Sequence, residues 1–154
     1  MHTRLKRKVY RAVDFCRYRN LRFGSEVRFL GTVRLFADRS EDRGRWVLQQ
    51  AGITQRPITG LWNRGVRIVK PELLLDIGAN YGEVSLSRRY RRDQTLYLFE
   101  PNPTVFSYLQ NSIRSHASAR NVIGVNSAVS DVDGHLDLHI DQKWTGSATL
   151  RTLP

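Results

Sequence analysis

Cysteine and long apolar runs are both scarce in this sequence. A single cysteine, Cys16, stands among 154 residues, so no internal disulfide can form, and packing within a helix explains it better than a nucleophile's role. No apolar run approaches the ~20 residues that span a bilayer. The basic amino terminus lacks the apolar core of a signal peptide, which makes a cytoplasmic location the default expectation. Negative charge is scarce as well: 14 Asp+Glu face 25 Lys+Arg, for a net charge of +11. The deficit is local, because residues 1–70 hold 17 Lys+Arg against 5 Asp+Glu while residues 71–154 hold 8 against 9. Such an asymmetry fits nucleic acid, an anionic membrane surface, an acidic substrate, or an arginine-rich solvated surface with no partner at all. Apolar residues make up 40 % of the chain, enough for the core of one ordinary domain.

What the sequence does contain is centred on Glu72-Leu-Leu-Leu-Asp-Ile-Gly-Ala-Asn-Tyr-Gly-Glu83. Leu73, Leu74 and Leu75 follow Pro71 as a run apolar on both faces, which predicts a strand buried in a parallel sheet. Gly78 and Gly82 bracket a turn whose backbone can reach dihedrals closed to other residues and can approach a ligand. Glycine turns at the carboxyl ends of parallel strands are ligand sites in open α/β sheets, although tight packing alone also calls for glycine there. Leu96-Tyr-Leu-Phe-Glu100 then predicts a second strand. Its terminal acid falls 24 positions after Asp76, near the ~20-residue offset at which a dinucleotide fold places a ribose-binding carboxylate. Asn102-Pro103 adds a helix cap and a proline suited to the first helical position.

Three segments together, Asp76-Ile-Gly-Ala-Asn-Tyr-Gly82, Phe99-Glu-Pro-Asn-Pro103 and Asn126-Ser-Ala-Val-Ser-Asp131 with Gly134, resemble the FkbM-type S-adenosylmethionine-dependent methyltransferases. The resemblance covers roughly the last eighty residues. It implies an α/β fold, a partial Rossmann-like doubly wound sheet of the class I methyltransferase type, spanning 71–154. It also implies S-adenosylmethionine as cofactor and a hydroxyl of a sugar or natural product as methyl acceptor. By the same resemblance Asp76, Gly78, Ala79, Asn80, Tyr81 and Gly82 face the methionine part, Glu100 the ribose, and Asn102 belongs to the same cofactor site. The G-x-G-x-x-G spacing of pyrophosphate sites is incomplete here. The family continues into a further strand ending in an Asp-x-Glu-Gly type motif that this sequence does not contain, so no catalytic base is named. In the family's strand order the glycine-turn strand is central. Without the next strand one side of it would expose unpaired backbone, so the edge is expected to be covered by the amino-terminal region or by another chain, or else the sequence is a fragment of a longer protein.

Elsewhere the expectations are plainer. Residues 1–70 form a basic amino-terminal region. Within it Leu5, Val9, Ala12, Val13 and Cys16 make one stripe of an amphipathic helix from Thr3 to about Leu21, suited to covering the domain or lying on a surface. Alternation from Val27 to Phe36 predicts one or two short strands, and Asp38 to Gly44 a charged turn. A short helix is expected from Trp46, a loop over residues 53–65, and a strand at Val66 to Val69. A helix from Gly82 to Tyr90 would end in Arg88, Arg89, Arg91 and Arg92, which suits its dipole. Val105, Leu109 and Ile113 mark a sheet-packing helix, with Phe106 and Tyr108 beside them able to pack or to reach an adenine. Asn121 to Val129 is read as a third strand. His135, Asp137, His139 and Asp141 alternate onto one face that fits either a metal or plain solvation. Two readings beside a methyltransferase stay open: a basic nucleic-acid or anionic-surface module whose binding is salt-sensitive, and a remnant that binds cofactor without catalysis.

Overall fold

In the computed structural model the described residues are 25–29, 33–131, 133–135, 137–141 and 144–151. The amphipathic helix expected from Thr3 to Leu21, with Cys16, lies outside them. Strands β1 (Glu26–Phe29) and β2 (Val33–Phe36) pair antiparallel, as their alternation requires. Two helices follow, α1 (Asp42–Gln49) and α2 (Arg56–Val69). Strands β3 (Leu73–Ile77), β4 (Thr95–Phe99) and β5 (Val122–Val125) then form a parallel sheet in the order β3-β4-β5, with α3 (Pro103–Arg114) crossing between β4 and β5. A short antiparallel pair, β6 (Asp137–His139) and β7 (Thr149–Arg151), ends the description. Among the described residues the fold is thus α/β with a three-stranded parallel sheet and three helices, compatible with part of a Rossmann-like sheet. Among the described residues no helix is long and apolar enough to cross a membrane.

One side of the sheet carries the core. Leu74, Leu96, Leu98 and Val122 are buried together with Val105, Leu109 and Ile113 of α3, whose spacing of four puts them on one helical face. The β1–β2 hairpin adds Val33 and Leu35 to the same core, and the Phe36 amide donates to Ser112 Oγ at 2.9 Å, so the hairpin lies against α3. α1 contributes Val47 and Leu48.

The other side corrects the expected two-faced burial of the leucine run. Leu74 is buried, but Leu73, Leu75 and Ile77 are 57, 50 and 60 % exposed, and Ile123 on β5 is 41 % exposed. A parallel sheet is ordinarily covered on both faces; here the described residues cover one.

Two further expectations are overturned. Residues 56–69, expected as loop then strand, are one helix. Pro57 sits in its first turn, where a missing N–H costs nothing, and Lys70 closes it in the left-handed region at φ 52°. Gly60 and Gly65 look like loop punctuation in sequence, yet they are carried inside a helix whose Val66 is buried and whose Trp62 donates to the Tyr90 hydroxyl at 3.0 Å. The helix expected from Gly82 to Tyr90 is only a single turn, Ser85–Ser87. Gly82, three residues before it, takes φ 84°, a left-handed conformation that an α-helix does not contain. The arginines beyond are consequently no helix end: Arg88 donates to the Asn63 carbonyl at 3.0 Å, and Arg91 forks onto Asp93 at 2.7 and 2.9 Å. The third strand is also shorter than expected and ends at Val125.

His116, which had no visible partner in sequence, is buried beside Tyr90, and its Nδ1 accepts the Ser118 amide at 3.1 Å. Burial holds its pKa below the ordinary 6.5. As pH falls through 6.5 the unfolded chain takes a proton that the folded one refuses, so stability is lost toward acid. Urea midpoints measured on either side of that value should therefore fall toward the acid side, and fall less in His116→Gln. Parallel profiles for the two proteins would refute this.

Candidate functional site

The carboxyl ends of the three parallel strands converge on Glu100. The register Ile77 against Phe99 and Phe99 against Val125 brings the residues that follow each strand to one level. Gly78 and Ala79 both donate their amides to the Phe99 carbonyl at 2.9 Å, which folds the glycine turn back over the end of β4. Gly78 takes φ 77° and Asn80 φ 51°, left-handed conformations in which glycine is free and asparagine tolerated. The turn thereby aims the Asn80 amide at Glu100, which accepts it on Oε2 at 2.9 Å. The other oxygen of Glu100 accepts the Asn102 amide at 2.9 Å. From β5, Asn126 Nδ2 donates to the carbonyls of Glu100 at 2.8 Å and Pro101 at 3.1 Å.

Two carboxyl groups share this place. Glu100 is 5 % exposed, and burial raises its pKa against the pull of its two amide donors, with the charge of Asp76 adding to the rise. Asp76, half-buried near the end of β3, is raised by burial and held back by the Ser85 hydroxyl. Each therefore charges less readily than a free carboxylate.

Of the sequence-predicted residues, Asp76, Gly78, Asn80 and Glu100 gather here. An ideal Cβ on Gly78 would meet nothing within 4 Å, so the backbone there is open to a ligand. Asn80 Oδ1 is buried with no hydrogen-bond partner among the described residues. The others turn inward. Ala79 is buried in the core, and a Cβ on Gly82 would come within 2.8 Å of Leu86 and Leu109 side chains, so this glycine serves packing. Tyr81 is fully buried, its ring edge-on to Tyr108 and its hydroxyl donating to Glu41 at 2.7 Å. Asn102 caps α3, its Oδ1 accepting the amides of Thr104 and Val105 at 3.0 and 3.4 Å, as its place before Pro103 predicts. Phe106 and Tyr108 pack against the core.

A cavity of about 500 Å³ opens beside the acid, lined by Phe99 and Pro101 on either side of it and by Ser127, Ser130, Asp133 and His135 of the following loop. Among the described residues no group of three or more His, Cys, Asp or Glu is placed to hold a metal, so the alternating face of β6 carries no such set.

A second polar cluster escapes sequence reading altogether. Glu41 caps α1 by accepting the amides of Arg43 and Gly44, and it also takes the Tyr81 hydroxyl. Arg43 forms a buried ion pair with Glu83, to which Thr54 Oγ1 donates at 3.1 Å. Its guanidinium lies 5.0 Å from the ring centre of Trp46 and 6.0 Å from that of Trp144, and desolvation lowers its pKa. The cluster locks α1 to the residues just after the glycine turn. Its only trace in sequence is a charged stretch indistinguishable from a solvated turn. No protein-family model matches the chain, and no curated protein matches it either.

Proposed function

We propose that this chain binds S-adenosylmethionine at the carboxyl ends of β3 and β4 and is the cofactor-binding part of a methyltransferase acting on an oxygen of a sugar or related metabolite. The observation that carries the reading is the hydrogen bond from the Asn80 amide to Glu100, which unites the glycine turn and the acid of adjacent parallel strands. The residues present fit the group. Each Glu100 oxygen holds one amide and keeps a lone pair for a ribose hydroxyl. The unpartnered Oδ1 of Asn80 and the Asp76 carboxyl supply acceptors for an ammonium group, and Gly78 leaves the backbone open to close approach. The bound cofactor would supply an electrophilic methyl group. The chain's part is to bind and orient, and positioning is a large share of the rate in such transfers. The cavity beside Phe99 and Pro101 extends the site with hydroxyl-bearing walls.

Calorimetric titration of the folded chain with S-adenosylmethionine is the test. Gly78→Val, which fills the open approach at φ 77°, and Glu100→Ala should each weaken binding at least ~10-fold, the scale of one lost charge-assisted hydrogen bond. Unchanged affinity in both folded variants would overturn the assignment.

A further inference from the structure

The fold sorts charges that the sequence mixes. Between Pro71 and Asp141 there are six arginines and no lysine, and each arginine stands either in a segment leading into a strand or at the end of the crossing helix: Arg88, Arg89, Arg91 and Arg92 before β4, Arg114 at the end of α3, and Arg120 before β5. The three strands are parallel and in matched register, Leu73 opposite Thr95 and Leu96 opposite Val122, so all six gather at the amino-terminal end of the sheet, the end away from Glu100. Side chains tie the segments together there. Gln94 Nε2 donates to the Pro71 carbonyl at 2.8 Å, and Asn121 Nδ2 reaches the carbonyls of Arg91 at 3.1 Å and Gln94 at 2.7 Å. The segments that follow the strands carry the opposite sign: Glu83, Glu100, Asp131 and Asp133 stand in them, with no arginine or lysine.

Two acids lie at the arginine end, and both bear on Arg91, which forks onto Asp93 and feels the charge of Glu72. Arg88 is held by the Asn63 carbonyl, and Arg114 suits the dipole of α3. Arg89, Arg92 and Arg120 are exposed and have no carboxylate partner among the described residues. We infer that this pole docks on the phosphate backbone of a nucleic-acid duplex without reading its sequence. Guanidinium forks match phosphate oxygens in geometry as well as in charge. Adjacent strands lie about 4.8 Å apart, so the segments before β4 and β5 present their forks as a row, which suits a chain of phosphates. Neither base stacking nor insertion into lipid is provided for. In residues 88–94 and 115–121 the only rings are those of Tyr90 and His116, both buried, and the only other apolar side chains are alanines. The pole lies at the opposite end of the sheet from the proposed cofactor site, and the inference does not rest on that reading.

Fluorescence anisotropy of a labelled DNA duplex, titrated with the full chain over a range of KCl concentrations, is the test. Affinity should fall steeply with salt and be alike for two duplexes of unrelated sequence. Arg89→Gln with Arg92→Gln and Arg120→Gln, checked for fold by circular dichroism, should lower the slope of log affinity against log salt by about 3 and weaken binding at low salt at least ~10-fold. Arg4→Gln with Arg7→Gln and Lys8→Gln removes the same charge elsewhere in the chain and should change the slope by less. Absent or salt-insensitive binding, a preference for one of the two duplexes, an unchanged slope in the first triple variant, or equal changes in the two triples would each overturn the inference. So would tighter retention on phosphatidylserine vesicles than on the duplex at the same salt, which would make the pole a membrane contact.

Discussion

Arg43→Ala is expected to destabilise the chain by about 3–5 kcal/mol, the cost of breaking a buried ion pair from one side. Arg43 and Glu83 are 4 and 1 % exposed, and with Glu41 and the Tyr81 hydroxyl they form one interior cluster. Removing the guanidinium leaves the buried Glu83 with the Thr54 hydroxyl as its only described donor. It also strips the cation from the faces of Trp46 and Trp144, so tryptophan emission should shift in any folded fraction. Urea unfolding followed by far-ultraviolet dichroism measures the loss. Arg43→Met combined with Glu83→Leu should recover much of it, because apolar residues of similar volume replace a buried pair at little net cost. A loss below about 1 kcal/mol in the single variant would mean that the pair behaves as a solvated surface bridge.

Gly44→Ala should be the second most damaging change, and its sign opposes helix propensity. Gly44 lies within α1, where alanine is ordinarily favoured by about 1 kcal/mol. Here a Cβ would stand 1.9 Å from the Asp38 carbonyl oxygen and 2.7 Å from its carbon, both backbone atoms. That turn is held in place by Asp38 Oδ1, which accepts the Ser40 amide at 2.7 Å and the Ser40 hydroxyl at 2.6 Å. Relief requires moving either α1 or the turn, at a net cost of about 2–3 kcal/mol by the scale of overpacked cores. Gly60→Ala supplies the contrast, since nothing lies within 4 Å of its Cβ and propensity alone should make it mildly stabilising. Equal effects at the two positions would show that the contact with Asp38 is absent in solution.

The strand, glycine turn, strand and capped helix from Leu73 to Arg114 were legible because each rests on short-range rules: apolar runs, left-handed turn positions, and an asparagine before a proline. The juxtaposition of Asp76, Gly78, Asn80 and Glu100 follows from parallel pairing together with the left-handed turn at Gly78 and Asn80. α2 was illegible because Pro57, Gly60 and Gly65 carry the same letters in a loop as in a helix, and only packing by Val66 and Trp62 decides between them. The Arg43 cluster was hidden for a related reason. Burial of a charge depends on what folds over it, and Glu83 and Trp144 arrive from distant parts of the chain. Ala79, Tyr81 and Gly82 show the opposite difficulty: a turn that is open on one side serves the core on the other, and residue type does not say which side a position takes.

The carbonyl of Phe99 and the carboxylate of Glu100 between them hold three amides of the glycine turn. Turn and strand end thus make a ledge that is set before anything arrives. A molecule landing on it would not have to freeze a wandering loop, so little conformational entropy would be subtracted from its affinity. The same wiring makes Glu100 a tether for the turn, and shortening it to alanine would loosen the turn even in the absence of any guest.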